Sequence, residues 1–172
     1  MIEIRAATPD DADDICDAHV ASWRVGYAHV FPESVLYADD FDASRRAFWR
    51  AWRFDPGCKV LVVTIDGRVV GFSSFGPERP RPTPIGIRGE VWAFYLHPDA
   101  WGSGAADALM EAAEDRLVRD GFPDAVLWVL DDNPRARAFY EKHGWEPSGR
   151  ETLFDRYCEA HAPEVEYRKT LQ

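Results

Sequence analysis

The chain has 172 residues, of which 46% are hydrophobic and 29% charged, and its formal net charge is −10 at pH 7. This length supports a hydrophobic core without disulfides or metal, so we expect one domain over residues 1–172. The acidic balance argues against general nucleic-acid binding, and no apolar run reaches the roughly 18 residues that span a bilayer. The acidic start is unlike a signal peptide, and the cysteines (Cys16, Cys58 and Cys158) form no C-x-x-C pair. We therefore expect a cytoplasmic protein with reduced thiols and no membrane contact.

The first part of the chain predicts a strand, two helices and a hairpin. Residues 1–7 alternate apolar and polar side chains as a strand does, and Thr8 then caps a helix that begins at Pro9. A second helical region, rich in Phe and Trp, covers residues 43–52. Asp66-Gly67 stands between two β-branched runs and predicts the two-residue turn of a hairpin.

A proline-rich segment separates this hairpin from a long central strand. Its prolines exclude a helix or an inner strand and indicate an extended loop: Pro77, Pro80, Pro82 and Pro84. The segment GEVWAFYLHP then predicts the central strand, and the helix that follows it is stopped by Gly121. DAVLWVL, at 124–130, is a nearly all-apolar strand of the kind that is covered on both faces.

A last helix and two strands complete the predicted order. Asn133 at the cap and Pro134 at the first helical position open the helix, and Gly144 closes it. Strands are expected around 151–154 and 164–171. This order predicts a mixed α/β sheet, with helices inserted after the first strand.

The stretch HPDAWGSGAADALMEAAEDRL places very little side chain at the start of a helix. A helix start leaves about four backbone N–H groups without partners, and Gly102 and Gly104 would let a phosphate approach them. The alternative is that the glycines only permit a tight turn from strand to helix. The stretch lacks the lysine of a Walker loop, and Asp107 stands where a dinucleotide fingerprint has its third glycine or alanine.

A second stretch, DDNPRARAFYEKHGWEPSG, decides between these alternatives. Its motif residues are Asn133, Ala136, Phe139, Tyr140, Gly144 and Trp145, and those of the first stretch are Trp101, Gly102, Ser103, Gly104, Ala105 and Ala106. Together, with a strand between them, they resemble the GCN5-related N-acetyltransferase (GNAT) superfamily. The resemblance covers the order of elements along essentially the whole chain. It implies the GNAT fold, a mixed and mostly antiparallel central sheet with a splayed parallel strand pair, flanked by helices.

The resemblance also implies a role for each motif. Backbone amides from Trp101 to Ala106 would hold the pyrophosphate of acetyl-CoA, and Asn133 would contact the cofactor arm. The strand end, at Tyr95, Leu96 and His97, would donate main-chain hydrogen bonds to pantetheine. Tyr140 would be the general acid that protonates the departing CoA thiolate. The alternative for Tyr140 is a partly buried aromatic residue on an amphipathic helix.

The phosphate loop departs from the family pattern at its first position, which is Trp101 instead of Gln or Arg. No Lys or Arg lies between Arg88 and Arg116, so phosphate binding would depend on main-chain amides and the helix dipole. Arg135 and Arg137 are the nearest basic candidates for the 3′-phosphate of the cofactor. The alternative for both is a solvated helix charge.

An amine acceptor must lose a proton, and Glu90 matches the place where many relatives carry a glutamate that serves as base. Glu90 would share a strand face with Trp92, although a carboxylate at a strand edge is often only solvated. His29, His97 and Tyr27 are weaker candidates for this proton transfer.

The acceptor is expected near three aromatic residues of the first helical region, Trp23, Tyr27 and Phe31. Acidic residues near the C-terminus, Asp155 and Glu159, would give this pocket a rim suited to a cationic amine. The alternative is that Trp23 and Phe31 are helix core.

The resemblance therefore predicts an acetyl-CoA-dependent N-acetyltransferase that uses no metal and acts on a small-molecule or peptide amine by direct attack in a ternary complex. Two alternatives stay open, a non-catalytic acyl-CoA-binding or regulatory module on the same fold and an acyltransferase that uses a longer acyl group. A homodimer is also left open.

Overall fold

The computed structural model describes residues 1–38, 40–52, 54, 59–79, 87–154 and 162–171. Its strands are β1 (Ile2–Ala6), β2 (Val60–Ile65), β3 (Arg68–Pro77), β4 (Gly89–Leu96), β5 (Asp124–Leu130), β6 (Glu146–Phe154) and β7 (Ala162–Thr170). Its α-helices are α1 (Ala12–Gly26), α2 (Glu33–Leu36), α3 (Phe41–Ala51), α4 (Ala105–Arg119) and α5 (Pro134–Lys142). Single turns of 3₁₀ helix cover Pro9–Asp11 and Pro98–Ala100.

The strands form one mixed sheet in the order β1-β2-β3-β4-β5-β7-β6. β4 and β5 are parallel and pair from Gly89↔Ala125 to Val91↔Leu127, at the amino-terminal ends of both strands. The pairs β1–β2, β2–β3, β5–β7 and β6–β7 are antiparallel. The predicted mixed, mostly antiparallel sheet flanked by helices is confirmed.

The chain comprises two compact units, of which the first contains Met1–Ser74 and Ala93–Ala113. In this unit Asp66 (φ 51°) and Gly67 (φ 84°) both take positive φ, as the predicted two-residue hairpin turn requires. The predicted helix after Thr8 begins with the 3₁₀ turn, and the Asp11 carboxylate accepts hydrogen bonds from the backbone N–H and the hydroxyl of Thr8. The core of the unit combines aliphatic and aromatic side chains, among them Ile15, Trp23, Leu36, Trp49, Val62, Phe72, Leu109 and Met110.

The second unit contains Phe75–Trp92 and Glu114–Gln172. Helix α5 begins as predicted, because the Asn133 side-chain oxygen accepts a hydrogen bond from Ala136 N–H at 3.1 Å and Pro134 takes the first helical position. Gly144 follows the helix with a φ of 77°. The buried side chains of this unit include Phe75, Leu117, Val126, Leu127, Trp145 and Tyr167.

Two features differ from the sequence-based expectation. Strand β6 begins at Glu146, five positions before the predicted start at 151, and a register shift between Pro147 and Glu151 accommodates the irregular residues. Helix α2 was not predicted.

None of the described helices combines the length and apolar composition that crossing a membrane needs. Several expectations fall outside the described residues: those for Cys58, Pro80, Pro82, Pro84, Asp155, Cys158 and Glu159.

Candidate active site

The glycine stretch forms a turn that leads into α4. Gly102 and Gly104 have φ values of 79° and 88°, in the left-handed region that glycine adopts without strain. A Cβ at Gly102 would meet no atom within 4 Å, and one at Gly104 would meet only Ile2 Cδ1, at 3.8 Å. The turn therefore needs glycine for its backbone conformation, and it leaves open space around the main chain.

The amides of this turn divide into paired and unpaired groups. Trp101 N–H donates to Pro98 O at 3.0 Å, Ser103 N–H donates to Ala100 O at 3.3 Å, and Ala105 N–H donates to Ser103 Oγ at 3.3 Å. Among the described residues, no acceptor pairs with three further amides, those of Gly102, Gly104 and Ala106. These three donors at a helix start fit an anionic pyrophosphate. Of the six amides expected to bind the cofactor, three are thus already hydrogen-bonded within the protein.

The end of β4 is held by hydrogen bonds within the first unit. Trp101 Nε1 donates to Leu96 O at 3.1 Å, so the residue that replaces the family's Gln or Arg is tied to the strand end. His97 N–H donates to Val70 O at 2.7 Å, which means that this predicted donor to pantetheine is already paired. The His97 side chain accepts from Asp99 N–H at 3.3 Å, an interaction that supports a structural role. Tyr95 is half-buried and stacks on His19, with ring centroids 4.5 Å apart.

Tyr140 lies on α5, and the residue is 8% exposed. Its ring contacts Phe139 at 5.7 Å and Tyr167 at 6.2 Å between centroids. Asn133, at the start of the same helix, uses its side-chain oxygen for the cap, while its Nδ2 has no acceptor within the described part of the chain. The side-chain donor of Asn133 thus remains for a ligand.

The two arginines predicted to meet the 3′-phosphate differ in their surroundings. Arg137 Nη1 donates to Asp131 Oδ1 at 2.6 Å, and Arg137 Nε donates to the Tyr167 hydroxyl at 3.1 Å. The hydrogen bond to Tyr167 raises the pKa of Arg137 above its ordinary value. Arg135 is exposed, and desolvation lowers its pKa. The Arg137 guanidinium thus already makes hydrogen bonds to Asp131 and Tyr167, and Arg135 is the more accessible of the two.

Glu90 is a buried carboxylate whose side chain is 1% exposed. Its Oε2 accepts the backbone N–H of Arg79 at 2.7 Å, and its Oε1 accepts Arg79 Nη2 at 2.6 Å and Nε at 3.2 Å. The Arg79 guanidinium also lies 5.7 Å from the centroid of the Trp92 ring. The alternative of a solvated carboxylate at a strand edge is therefore wrong. Both oxygens of Glu90 accept hydrogen bonds from one arginine.

A second set of buried charges lies in the same unit, and sequence reasoning missed it. The side chains of Glu78 and Glu166 are 3% and 0% exposed. Arg88 donates to both oxygens of Glu78, at 2.5 and 2.9 Å, and this raises the pKa of Arg88. Arg150 donates to Glu166 Oε2 at 2.6 Å and lies 5.6 Å from the centroid of the Trp128 ring. Glu166 Oε1 is buried and has no donor among the residues that the structure describes.

The strand register places these groups on one face of the sheet in the second unit. Glu90 is opposite Val126, and Trp128 is opposite Glu166. Because Val126 and Trp128 are two residues apart on β5, they point to the same side, as do Glu90 and Glu166 beside them. The signal that could have revealed this face is the pair of glutamates at alternate positions of β7, 164 and 166, where both side chains are buried.

The three aromatic residues predicted to bind the acceptor are mainly core residues of the first unit. Trp23 and Phe31 are 2% and 3% exposed and stack with centroids 5.7 Å apart. Tyr27 is half-buried and meets Trp23 edge-on at 4.9 Å. This burial supports the alternative that Trp23 and Phe31 form helix core, so only Tyr27 presents much surface to a ligand.

His19 is a second group that the sequence did not single out. Its Nδ1 accepts a hydrogen bond from Trp49 Nε1 at 3.3 Å, and its ring is packed against Trp23, Phe72 and Tyr95. Burial lowers the pKa of His19 to about 3. The imidazole is therefore neutral at pH 7 and carries its proton on Nε2.

A mixed seven-stranded sheet with one parallel pair, β4 and β5, and a glycine turn after β4 is the architecture of the GNAT fold. The profile of the family described as "Acetyltransferase (GNAT) family" matches residues 14–145. The chain belongs to this family, and it is an acetyltransferase.

Individual relatives agree with this assignment. The chain is 32% identical over 148 residues to the uncharacterized N-acetyltransferase YuaI of Bacillus subtilis, a match that covers 85% of this chain and 81% of that protein. It is 37% identical over 109 residues to the mycothiol acetyltransferase of Saccharomonospora viridis, a match that covers 62% of this chain and 35% of that protein. The PaiA N-acetyltransferase of Thermoplasma acidophilum, solved in complex with coenzyme A, superposes with a TM-score of 0.71 at 18% identity, over 99% of each chain. This last likeness concerns the fold alone.

Proposed function

We propose that this protein is a single-domain, acetyl-CoA-dependent N-acetyltransferase of the cytoplasm. It moves an acetyl group to a primary amine of a small molecule or peptide by direct attack in a ternary complex, with no metal. The observation that carries the proposal is the set of three amides at the start of α4 for which the described residues provide no acceptor, in a chain of the acetyltransferase family. Acetyl-CoA supplies the acetyl group as an activated thioester.

Cofactor binding is assigned to backbone groups and a few side chains. The amides of Gly102, Gly104 and Ala106 bind the pyrophosphate, helped by the positive end of the α4 dipole. The main chain of Tyr95 and Leu96 lines pantetheine, Asn133 Nδ2 donates to the cofactor arm, and Arg135 meets the 3′-phosphate. Because Asp107 and Glu111 are the charged residues of the first turns of α4, the amides carry most of the attraction for phosphate.

Tyr140 is proposed as the general acid. A thiolate leaves poorly unless it is protonated, and a phenol can donate a proton at neutral pH. Its burial on α5 supports this role, because a site that excludes water strengthens the hydrogen bonds made to a developing charge.

Glu90 is proposed as the group that accepts the amine proton, directly or through water. Its two oxygens accept three N–H groups from Arg79, and its side chain is 1% exposed. Oε1 accepts two of these donors and Oε2 accepts only one, so Oε2 keeps a lone pair that could receive the proton.

An acceptor screen with acetyl-CoA tests the proposed function. Purified protein is mixed with acetyl-CoA and a panel of amines, and the release of free thiol is followed. At least one amine should release thiol at a rate that depends on the enzyme concentration. Coenzyme A at about 100 times its Kd should add about 2.7 kcal/mol of stability in a thermal unfolding experiment. If no amine releases thiol and coenzyme A does not stabilise the fold, the proposal fails.

The variant Tyr140→Phe separates an enzyme from a non-catalytic acyl-CoA-binding module. In an enzyme that uses Tyr140 as acid, kcat should fall about 10²- to 10⁴-fold while coenzyme A affinity is kept. A binding module would lose nothing. Tyr37→Phe removes the same hydroxyl from a residue that is 57% exposed and serves as the matched control. Competition between acyl-CoAs of different length addresses the choice of acyl group.

A further inference from the structure

The charged groups around β4 are layered, with carboxylates inside and guanidinium groups outside. The side chain of Glu90 is 1% exposed, and that of its partner Arg79 is 35% exposed. The side chain of Glu166 is 0% exposed, and that of its partner Arg150 is 24% exposed. In each pair the buried anion holds a cation, and the cation is the group that reaches the surface. In these two pairs the charge that reaches the surface is therefore positive, although the chain as a whole carries −10.

Arg79 is fixed in place but only partly used as a donor. A guanidinium has five N–H donors, and those on Nε and one on Nη2 are bound to Glu90. The remaining donors of Arg79 have no acceptor in the described ranges of the chain. The backbone N–H of Arg79 is also held by Glu90, and the face of the guanidinium lies on Trp92. These contacts leave the outer edge of the guanidinium pre-oriented toward solvent.

We propose that Arg79 binds a carboxylate of the acceptor, so that this enzyme acetylates amines which also carry a carboxylate group. This inference rests on the proposed function and names the substrate class of that site. A planar carboxylate matches the two-donor edge of a guanidinium, and an ionised acceptor makes the hydrogen bonds charge-assisted. The net charge of −10 disfavours ligands of higher negative charge. The surface at Arg79 therefore favours an amino-acid-like acceptor over the purely cationic amine expected from the sequence.

The same contact would leave the proposed role of Glu90 intact. Glu90 accepts from the backbone N–H, Nε and one Nη2 donor of Arg79, and the acceptor carboxylate would bind the remaining donors of the same guanidinium. Arg79 would therefore hold the acceptor beside the carboxylate that is proposed as the base.

Matched pairs of acceptors test this inference. Each pair consists of an amino acid or dipeptide and its carboxamide, which carry the same amine and differ only at the carboxylate. Thiol release from acetyl-CoA is measured for wild type, Arg79→Gln and Arg79→Lys. In the wild type, at least one carboxylate acceptor should exceed its carboxamide in kcat/KM by about ten- to hundredfold, the range expected for a hydrogen bond to a charged group. Arg79→Gln should abolish this preference, and Arg79→Lys should keep part of it because the charge remains.

Arg68→Gln removes the same charge from an exposed position and should leave the preference unchanged. Thermal stabilisation by coenzyme A reports whether each variant is folded and binds the cofactor. If amines release thiol but carboxamides match or exceed their carboxylates in the wild type, the inference is wrong and the proposed function stands. The same holds if Arg79→Gln keeps the preference. If no acceptor of any kind releases thiol, the proposed function fails and the inference falls with it.

Discussion

Arg79→Gln also tests how much the buried pair contributes to folding. Glu90 is an acidic group that the protein takes out of water, and Arg79 supplies all three of its observed hydrogen bonds. The substitution removes the two side-chain donors and the positive charge but keeps the backbone N–H. A buried carboxylate is then left with one partner, which is far costlier than the loss of a surface ion pair.

The expected loss of stability follows from the burial of the two groups. Breaking a buried ion pair by removing one partner costs roughly 3–5 kcal/mol. The Arg79 side chain is 35% exposed, so water already screens part of the attraction, and one hydrogen bond survives. We therefore expect the lower end, about 3 kcal/mol. For a chain of this length about 1 kcal/mol shifts Tm by roughly 2–4 °C, so Tm should fall by roughly 6–12 °C.

A double-mutant cycle measures the pair itself. The free energy of unfolding is obtained from urea titrations at pH 7 for wild type, Arg79→Gln, Glu90→Gln and the double variant. The double variant places two neutral amides together, so it should lose less than the sum of the single losses, by about 2 kcal/mol. Arg68→Gln, the exposed control, should stay within about 0.5 kcal/mol of wild type. A loss below about 1 kcal/mol for Arg79→Gln, or additive single losses, would refute the reasoning.

The remaining predictions concern the first unit. Burial raises the pKa of Asp11, but hydrogen bonds from Arg5 and Thr8 lower it more, so the net pKa lies below its ordinary value. Asp11→Asn should lower the free energy of unfolding by about 1–2 kcal/mol at pH 7. This difference from wild type should vanish as the pH falls from about 4 through the lower pKa of the folded state, and acid titrations of both proteins would check it. Gly104 has a φ of 88°, and Gly104→Ala should weaken coenzyme A binding severalfold in calorimetry. Gly67 has a φ of 84° and serves as the control: Gly67→Ala should strain the backbone equally but leave the affinity for coenzyme A unchanged. Because the pKa of His19 is about 3 in the fold, wild type should lose about 2 kcal/mol between pH 7.5 and pH 5, and His19→Phe should lack this slope in urea titrations.

Local rules predicted the elements whose shape depends on a few adjacent residues. The Asp66-Gly67 hairpin turn and the Asn133-Pro134 helix start were both found where the sequence placed them, because each depends on backbone conformations that those residue types favour. Strand β6 was predicted too short. Pro147 and Gly149 argue against a strand in isolation, but pairing with β7 overrides them, and the irregular residues are absorbed where the register shifts.

In the candidate site, too, features that depend on adjacent residues were predicted, and features that depend on distant residues were not. The glycine turn was recognised because its backbone conformation depends on adjacent residues, Gly102 and Gly104, which the sequence shows directly. The partner of Glu90 was not predicted, because Arg79 is 11 positions away at the edge of a proline-rich segment and no pattern connects the two. His19 was missed for the same reason, since its environment comes from Trp49 and Tyr95, which are distant in the chain. Non-local partners decide what a polar residue does, and a single sequence does not show them.

The Arg79–Glu90 pair links stability to acceptor choice, and the two can be separated by experiment. If Arg79 only neutralises a buried charge, Arg79→Lys should restore stability and activity together, because a lysine also compensates Glu90. If Arg79 also binds the acceptor carboxylate through its planar edge, Arg79→Lys should restore much of the stability but only part of the preference for carboxylate acceptors. A lysine has no second donor held in the same plane, so it cannot serve Glu90 and a substrate carboxylate at once with the geometry of a guanidinium. A gap between recovered stability and recovered preference would therefore be the signature of an arginine that holds a buried carboxylate on one edge and a substrate on the other.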